Sequence, residues 1–256
     1  MLRSNAFLSG LFMLISFSFA PSCKAQGSPL TGKPVRHEAW TNLLRKYVSP
    51  DGKVNYPGFI RDKQAVQEYL DLLGANHPDE QRWTRAEQLA YWINAYNAFT
   101  VKLIMDHYPI TSIKDIKKGI PFVNSVWDLK FIPLGGQLYD LNHIEHRILR
   151  EKFDEPRIHF AINCASVSCP KLANVAFEAA TLDKQLEQAA RQFFADPQKN
   201  KLQPNRIEIS RIFLWFGGDF KKSGGDIIAY INQYSEVRIS PKASISYLEY
   251  DWNLNE

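Results

Sequence analysis

The stretch TRAEQLAYWINAYNAFTVKLIMDHYP, residues 84–109, decides the fold. Thr84 is followed three residues later by Glu87, and this capping box marks the first turn of a helix. Apolar residues then recur at helical spacing as far as Tyr108, where Pro109 ends the pattern. Because these residues cover much of the helix circumference, the helix is predicted to lie at the centre of the protein.

Two asparagines interrupt this apolar helix. Asn94 and Asn97 are three residues apart, so both lie on one face of the helix. A buried amide needs hydrogen-bond partners, so the pair either holds neighbouring backbone in place or lines a polar pocket that binds a ligand. The structural role is favoured, since polar core residues are usually satisfied by nearby groups.

The elements around the central helix predict an α+β fold, with a helix-rich N-terminal half packed on a small mixed or antiparallel sheet. Two short helices precede it, over residues 38–48 and 62–73. A β-hairpin that turns on Gly135 and Gly136 follows it, over residues 129–141. The later predicted elements are a helix capped by Asn142, a strand at 157–162, a helix at 181–194, a strand at 206–210, a helix at 226–234 and a strand at 246–250.

The N-terminus has the pattern of a signal peptide. Arg3 precedes an uncharged, mostly apolar run over residues 6–20, and small and polar residues follow as far as Gln26. The run is too short for a membrane span. Residues 1–26 are therefore predicted to be removed on export to the periplasm or the cell exterior. The alternative is a lipoprotein signal that ends at residue 22, in which case a lipid on Cys23 anchors the protein to a membrane.

Composition bounds the remaining possibilities. The 256 residues are 45% hydrophobic, as in an average globular protein, and the interior contains no linker or repeat. Residues 27–256 are therefore predicted to form a single domain. The net charge is only +4 and the basic residues are spread along the chain, which argues against a nucleic-acid partner. No cofactor is expected.

Cys164 and Cys169 lie in a loop of small residues that follows the predicted strand. In an oxidising compartment they are candidates for a disulfide, provided that their Cα atoms come within about 7 Å. Otherwise one of them is a candidate nucleophile. Cys164 is favoured for that role, because Ala165 and Ser166 can supply backbone N–H groups to an oxyanion.

A thiol attacks as its thiolate, and a nearby imidazole lowers the thiol pKa. His146 is the predicted partner of Cys164. His159 is predicted to suit Cys169 better, because five strand residues separate His159 from Cys164 by roughly 16 Å. On an α-helix Glu145 points about 100° away from His146, so a capping role for Glu145 is at least as favoured as a catalytic one.

A zinc site is a further alternative. His143 and His146 are three residues apart, and a histidine and two cysteines follow in the sequence. The chain has neither a CxxC nor an HExxH signature, so no metal is predicted.

Several motifs together are similar to one family. They are YWINAYNA at 91–98, IEHRILR at 144–150, RIHFAINCASVSCP at 157–170 and YDW at 250–252. In this order they resemble the family called domain of unknown function 547 (DUF547), over about residues 40–254. The resemblance implies a papain-like or transglutaminase-like fold, with thiol chemistry that uses a cysteine, a histidine and an acidic residue. The residues it implicates are Glu145, His146, His159, Cys164 and Cys169.

The chain departs from the family pattern at His143, where similar sequences have an acidic residue, so His143 is a poor candidate for the core site.

Two functions remain open. One is a thiol-dependent acyl-transfer or amide-hydrolysing enzyme that acts on a peptide-like or envelope-derived substrate. The other is a non-catalytic binding or scaffold domain, in which Cys164 and Cys169 form a disulfide and the histidines are satisfied core groups.

Overall fold

The structure is a computed structural model that describes Met1, residues 32–117 and residues 125–256. The predicted signal peptide after Met1, with Cys23, lies outside the described residues. Among the described residues, no helix combines the length and the apolar character that a membrane crossing requires.

The N-terminal half is helical, as predicted. Its helices are α1 (Glu38–Tyr47), α2 (Tyr56–Arg61), α3 (Lys63–Ala75) and α4 (Arg85–His107). The capping box at the start of α4 is confirmed: the Thr84 side chain accepts a hydrogen bond from the Glu87 backbone, and Glu87 accepts one from the Thr84 backbone at 2.7 Å. The middle of α4 is buried all round, so the helix is central.

The predicted hairpin is present. Strand β1 (Ile132–Leu134) pairs antiparallel with β2 (Gln137–Tyr139), and Ile132 lies opposite Tyr139. Gly135 and Gly136 have φ angles of 56° and 76°, a conformation that favours glycine in a two-residue turn. Short 3₁₀ helices lie before the hairpin, at Ile113–Lys117 and Val126–Asp128.

The segment after the hairpin begins differently from the prediction. The chain forms a π-helix over His143–Leu149 and continues as α5 (Arg150–Lys152). Asn142 is itself helical and does not cap it; the Asp140 side chain accepts the hydrogen bond of the His143 backbone instead, at 2.7 Å. The predicted cap by Asn142 and Glu145 is therefore wrong. Single-turn π segments are frequent at functional sites.

The predicted strand at 157–162 is also wrong, because Pro156–Phe160 is a 3₁₀ helix. Proline has the φ angle that a first helical turn requires, and the Glu155 side chain accepts a hydrogen bond from the Arg157 backbone at 3.1 Å. A 3₁₀ helix rises only about 2 Å per residue, so the chain from His159 towards Cys164 is more compact than a strand.

The C-terminal part contains a small mixed sheet. Strand β4 (Arg206–Ile209) is its centre, antiparallel to β3 (Asn200–Gln203) and parallel to β5 (Ser244–Tyr247). The helical segments of this part are a 3₁₀ helix at Ala179–Thr181, α6 (Leu182–Ala195), α7 (Ile212–Trp215), α8 (Gly217–Gly224) and α9 (Ile227–Ile231). The α+β class is confirmed, whereas the papain-like or transglutaminase-like resemblance stays a prediction.

Two hydrophobic clusters form the core. The larger contains α1 to α4, the hairpin and the π-helix, and the smaller contains residues of α6, β4 and α7 to α9. The 3₁₀ helix at Pro156–Phe160 joins them: Ile158 packs in the larger cluster, while Phe160 packs in the smaller one. The loop that carries both cysteines therefore begins close to the boundary between the two clusters. This boundary is called the seam below.

Candidate functional site

A cavity of about 190 Å³, partly open to solvent, lies at this seam. Its lining includes all five residues that the sequence marks as catalytic candidates: Glu145, His146, His159, Cys164 and Cys169. Most of the remaining wall is aromatic, formed by Tyr96, Trp127, Trp215, Phe216, Tyr250 and Trp252. The cavity thus combines polar groups that can move protons with a predominantly apolar surface.

Cys164 and Cys169 form a disulfide, and their Cα atoms are 6.2 Å apart. The sulfur of Cys169 accepts hydrogen bonds from the Cys164 backbone N–H at 2.9 Å and from the Tyr250 hydroxyl at 3.3 Å. The sulfur of Cys164 lies 3.3 Å from the Ser166 hydroxyl and 3.4 Å from the Tyr250 hydroxyl. Cys164 is partly exposed, whereas Cys169 is 4% exposed.

The loop holds its shape through one asparagine. The Asn163 side chain accepts a hydrogen bond from the Ala165 backbone at 2.8 Å and donates one to the Pro170 carbonyl at 2.7 Å. Ala165 has a φ of 58°, which is uncommon for a residue other than glycine. Because the Ala165 N–H already has a partner, it does not serve as the predicted oxyanion donor.

His159 pairs with an acidic residue that the sequence reasoning did not find. Its Nε2 donates a hydrogen bond to Oδ2 of Asp219 at 2.9 Å. Its ring stacks on the ring of Phe216, with 4.2 Å between the ring centroids. Burial lowers the pKa of His159, and the contact with Asp219 only partly opposes this effect. The ring is therefore neutral near pH 7, with its proton on Nε2. Within residues 32–117 and 125–256, Nδ1 has no hydrogen-bond partner, and it carries the lone pair.

Asp219 lies on α8 and binds two cationic or polar groups at once. Besides His159, it accepts hydrogen bonds from Arg150, at 2.6 Å to Nε and 3.1 Å to Nη2. Burial alone would raise the pKa of Asp219, but the hydrogen bonds from His159 and Arg150 outweigh burial and lower it well below its ordinary value. Asp219 is therefore ionised and orients the His159 ring.

His146 lines the cavity but has a different chemical role. Its Nδ1 accepts a hydrogen bond from Nη1 of Arg150 at 2.7 Å. Burial and then the charge of Arg150 lower the pKa of His146, so the ring is neutral. With Nδ1 occupied as an acceptor, the proton sits on Nε2. His146 is thus arranged as a hydrogen-bond donor towards its surroundings, whereas Nδ1 of His159 keeps its lone pair.

Glu145 is a buried acid of this site. The Tyr96 hydroxyl donates a hydrogen bond to its Oε2 at 3.2 Å. Burial raises the pKa of Glu145 to about 7, and the Tyr96 contact and the positive charge of Arg150 oppose the shift without cancelling it. Glu145 is therefore partly protonated at neutral pH and can donate or accept a proton in the cavity.

Replacement of Glu145 by glutamine is expected to stabilise the protein at alkaline pH. The folded-state pKa of Glu145 is raised, so its stabilising effect is complete below the unfolded value of 4.5 and is lost as pH rises through about 7. Relative to wild type, Glu145→Gln should gain about 3 kcal/mol of unfolding free energy at pH 8 and nothing at pH 4. Urea unfolding across this range measures the difference. The exposed Glu249→Gln is the control, and a difference independent of pH would contradict the expectation.

Asn94 and Asn97 hold backbone, as the favoured interpretation predicted. Asn94 donates to the Phe177 carbonyl at 2.8 Å and accepts from the Phe177 N–H at 3.0 Å. Asn97 donates to the Ala161 carbonyl and accepts from the Asn163 N–H, both at 2.9 Å. Both amides are buried and satisfied by these bonds, and Asn97 positions the start of the cysteine loop.

His143 lies apart from these groups. It is exposed, and its ring contacts the ring of Tyr139 at 5.1 Å. In the part of the chain that the structure describes, no group of three or more histidine, cysteine, aspartate or glutamate side chains is arranged to hold a metal ion.

These features define an α+β protein with a disulfide, a His–Asp pair and a buried glutamic acid around one aromatic cavity. The family described as "Protein of unknown function, DUF547" matches residues 80–194, which confirms the predicted family over this part of the chain. The matched residues include α4, the π-helix and the cysteine loop; the motif at 250–252 lies beyond them. No curated protein and no solved structure is significantly similar to the chain.

Proposed function

We propose that the dithiol form of this protein is a thiol-dependent acyl-transfer or amide-hydrolysing enzyme, with Cys164 as its nucleophile. The observation that carries the proposal is that the partly exposed Cys164 lines the same cavity as His159, whose ring Asp219 orients. A cysteine, a histidine and an acidic residue in these roles are what nucleophilic thiol catalysis requires.

An external thiol reductant first reduces the disulfide to two thiols and is itself oxidised to a disulfide. The lone pair on Nδ1 of His159 accepts the thiol proton, and the ionised Asp219 stabilises the resulting imidazolium. The Tyr250 and Ser166 hydroxyls, 3.4 and 3.3 Å from the Cys164 sulfur, can stabilise the thiolate. The thiolate adds to the carbonyl carbon of the substrate, the leaving group departs with the proton from His159, and water or an amine then releases the acyl group from Cys164.

The wall of the cavity favours a particular kind of acyl group. Aromatic side chains such as Trp127, Trp215 and Trp252 line the same cavity as the two cysteines, and they suit an apolar or flat substituent beside the reacting carbonyl. The proposal includes export and a peptide-like or envelope-derived substrate. The signal-peptide pattern supports export, and a disulfide fits an oxidising compartment.

A non-catalytic binding domain is the second candidate. The disulfide itself favours it, because neither sulfur is a nucleophile while Cys164 and Cys169 are bonded to each other. In this candidate the cavity binds an apolar ligand group and the His159–Asp219 pair only satisfies buried polar atoms.

The reactivity of Cys164 separates the two candidates. The chain with Cys23→Ser is reduced with dithiothreitol, freed of reductant and alkylated with iodoacetamide over a range of pH, and the modified peptides are identified by mass spectrometry. Cys164 is expected to react well below the ordinary thiol pKa of about 8.5, and His159→Gln should return it to near that value. An activated ester should then acylate Cys164.

His107→Gln is the matched control, because His107 lies at the end of α4 and bonds the Leu103 carbonyl, away from the cavity. If Cys164 titrates near the ordinary value with and without His159, and no ester acylates it, the enzyme proposal fails and the binding domain remains.

A further inference from the structure

We infer that the Cys164–Cys169 disulfide is a redox-active pair that exchanges with small thiols entering the cavity, with Cys164 as the sulfur attacked and Cys169 as the leaving group. This activity does not rest on the proposed acyl transfer, since exchange needs only the two sulfurs and an incoming thiol. It differs from a purely structural disulfide because an incoming thiol attacks one particular sulfur. The surroundings of the two sulfurs determine which one.

Access to solvent distinguishes the two cysteines. Both cysteines line the cavity, but Cys164 is partly exposed and Cys169 is 4% exposed. The cavity of about 190 Å³ suits a small thiol such as cysteine or one end of glutathione, and it is too small for a folded protein surface. An incoming thiolate therefore meets the sulfur of Cys164 first.

The backbone N–H of Cys164 distinguishes them in the same direction, because it donates to the sulfur of Cys169 at 2.9 Å. The hydroxyl of Tyr250 also donates to that sulfur, at 3.3 Å, and it lies 3.4 Å from the sulfur of Cys164 as well. Burial raises the pKa of Tyr250, so its hydroxyl keeps the proton that it donates. Donors of this kind stabilise a thiolate and improve it as a leaving group, and they offset the cost of forming the anion in a buried position.

The disulfide exchange takes place in two steps. An external thiolate attacks the sulfur of Cys164, the disulfide bond breaks, and its electron pair goes to Cys169, which leaves as a thiolate. A second external thiolate then attacks the sulfur of the small thiol in the mixed disulfide and releases Cys164. In sum, two small thiols are oxidised to their disulfide while the Cys164–Cys169 bond is reduced to two thiols; the reverse reaction forms the bond.

The loop can tolerate an open disulfide, because other bonds keep it in place. Asn163 holds the Ala165 N–H and the Pro170 carbonyl on either side of the two cysteines. Between the cysteines, the backbones of Val167 and Ser168 donate to the carbonyls of Asn253 and Asp251, at 2.9 and 3.2 Å. Reduction therefore leaves the segment tethered at both ends and in the middle, as reversible exchange requires.

Glutathione is the probe that tests this inference. The full chain with Cys23→Ser is incubated with reduced and oxidised glutathione at several ratios, quenched with acid, and mapped by mass spectrometry. Reduced glutathione in large excess is expected to open the pair, and the mixed disulfide should be found on Cys164. In single-cysteine chains, Cys164 in Cys169→Ser should accept glutathione at least about tenfold faster than Cys169 in Cys164→Ser.

Tyr250→Phe removes a hydroxyl that donates to the leaving sulfur of Cys169 and lies near the sulfur of Cys164, while both sulfurs stay in place. Loss of the hydroxyl is expected to slow opening by glutathione about threefold, whereas Tyr247→Phe, a tyrosine of β5, should leave the rate unchanged. A pair that stays oxidised in excess glutathione, or a Cys169 that reacts as fast as Cys164, would overturn the inference. So would an unaltered rate in Tyr250→Phe.

The glutathione-exchange test and the acyl-transfer test can fail independently of each other. The acyl-transfer test begins from protein reduced by dithiothreitol, so a chain that resists glutathione can still show a reactive Cys164 after strong reduction. A chain that exchanges with glutathione but is never acylated loses the proposed function and keeps the exchange activity.

Discussion

Replacement of Asp219 by alanine is expected to slow the acylation of reduced Cys164 by about 10³-fold to 10⁴-fold, the scale seen when the acidic member of a catalytic triad is lost. In the wild-type protein the carboxylate accepts the Nε2–H of His159 and thereby leaves the Nδ1 lone pair in the cavity. Without it, the ring loses the contact that sets its tautomer and that stabilises the imidazolium.

The measurement is the acylation rate of Cys164 by p-nitrophenyl acetate, together with the pH at which Cys164 becomes reactive to iodoacetamide. In the proposed enzyme Asp219 acts through His159 as a positioning residue, so its loss should move that pH towards the ordinary thiol value of about 8.5. A merely structural role would lower the amount of folded protein without moving the pH midpoint.

Two further variants keep this prediction informative. Asp219→Asn retains an oxygen that can accept a hydrogen bond from His159 but places an amide N–H₂ against Arg150. Its acylation rate is therefore expected to lie between those of wild type and Asp219→Ala. Asp154→Ala removes an exposed carboxylate between α5 and the 3₁₀ helix at Pro156–Phe160, and it should have no effect. A folded Asp219→Ala protein with the wild-type rate and the wild-type pH midpoint would show that the His–Asp pair has no part in thiol chemistry.

Features with local causes are the ones that the sequence predicts correctly. The capping box at Thr84 starts α4, because both reciprocal hydrogen bonds join residues three apart. The two glycines of the hairpin adopt positive φ angles within a two-residue turn. The role of Asn94 and Asn97 follows from a general rule instead of a local cause: buried amides need partners, and backbone groups distant in the sequence supply them.

The wrong strand at 157–162 has a physical explanation. Its apolar residues alternate, which is typical of a strand with one buried face. In the structure Ile158 packs in the larger hydrophobic cluster and Phe160 in the smaller one, so the segment is buried on two sides by two different cores. Pro156 and the Glu155 side chain then start a 3₁₀ helix, and these local signals outweigh the alternation.

The sequence identifies five residues that line this cavity, but neither their pairings nor the acidic residue Asp219. All five candidate catalytic residues line one cavity, yet the acidic partner of His159 is Asp219, sixty positions further along the chain. In sequence, Asp219 follows two glycines in the first turn of a helix, where an acidic residue is ordinary. Arg150 likewise reads as a helix-end cation, although it binds both His146 and Asp219. Only tertiary packing brings these residues together.

Replacement of Asn97 by alanine is expected to lower the free energy of unfolding by about 4 kcal/mol. It leaves the Ala161 carbonyl and the Asn163 N–H buried without partners, and each such group costs about 1–3 kcal/mol. Urea unfolding measures the loss, and Asn205→Ala, at an exposed turn position, should change it little.

Asn94→Ala is the sharper comparison, because it removes the same pair of bonds from the same helix but frees the backbone of Phe177 instead. Both variants should lose similar stability. Only Asn97→Ala should also alter the reactivity of the cysteine pair, since its two partners, Ala161 and Asn163, lie within three residues of Cys164 at the start of the cysteine loop. If both asparagines change stability and glutathione exchange to the same extent, the position of Cys164 depends on the fold as a whole, and Asn97 has no special part in placing it.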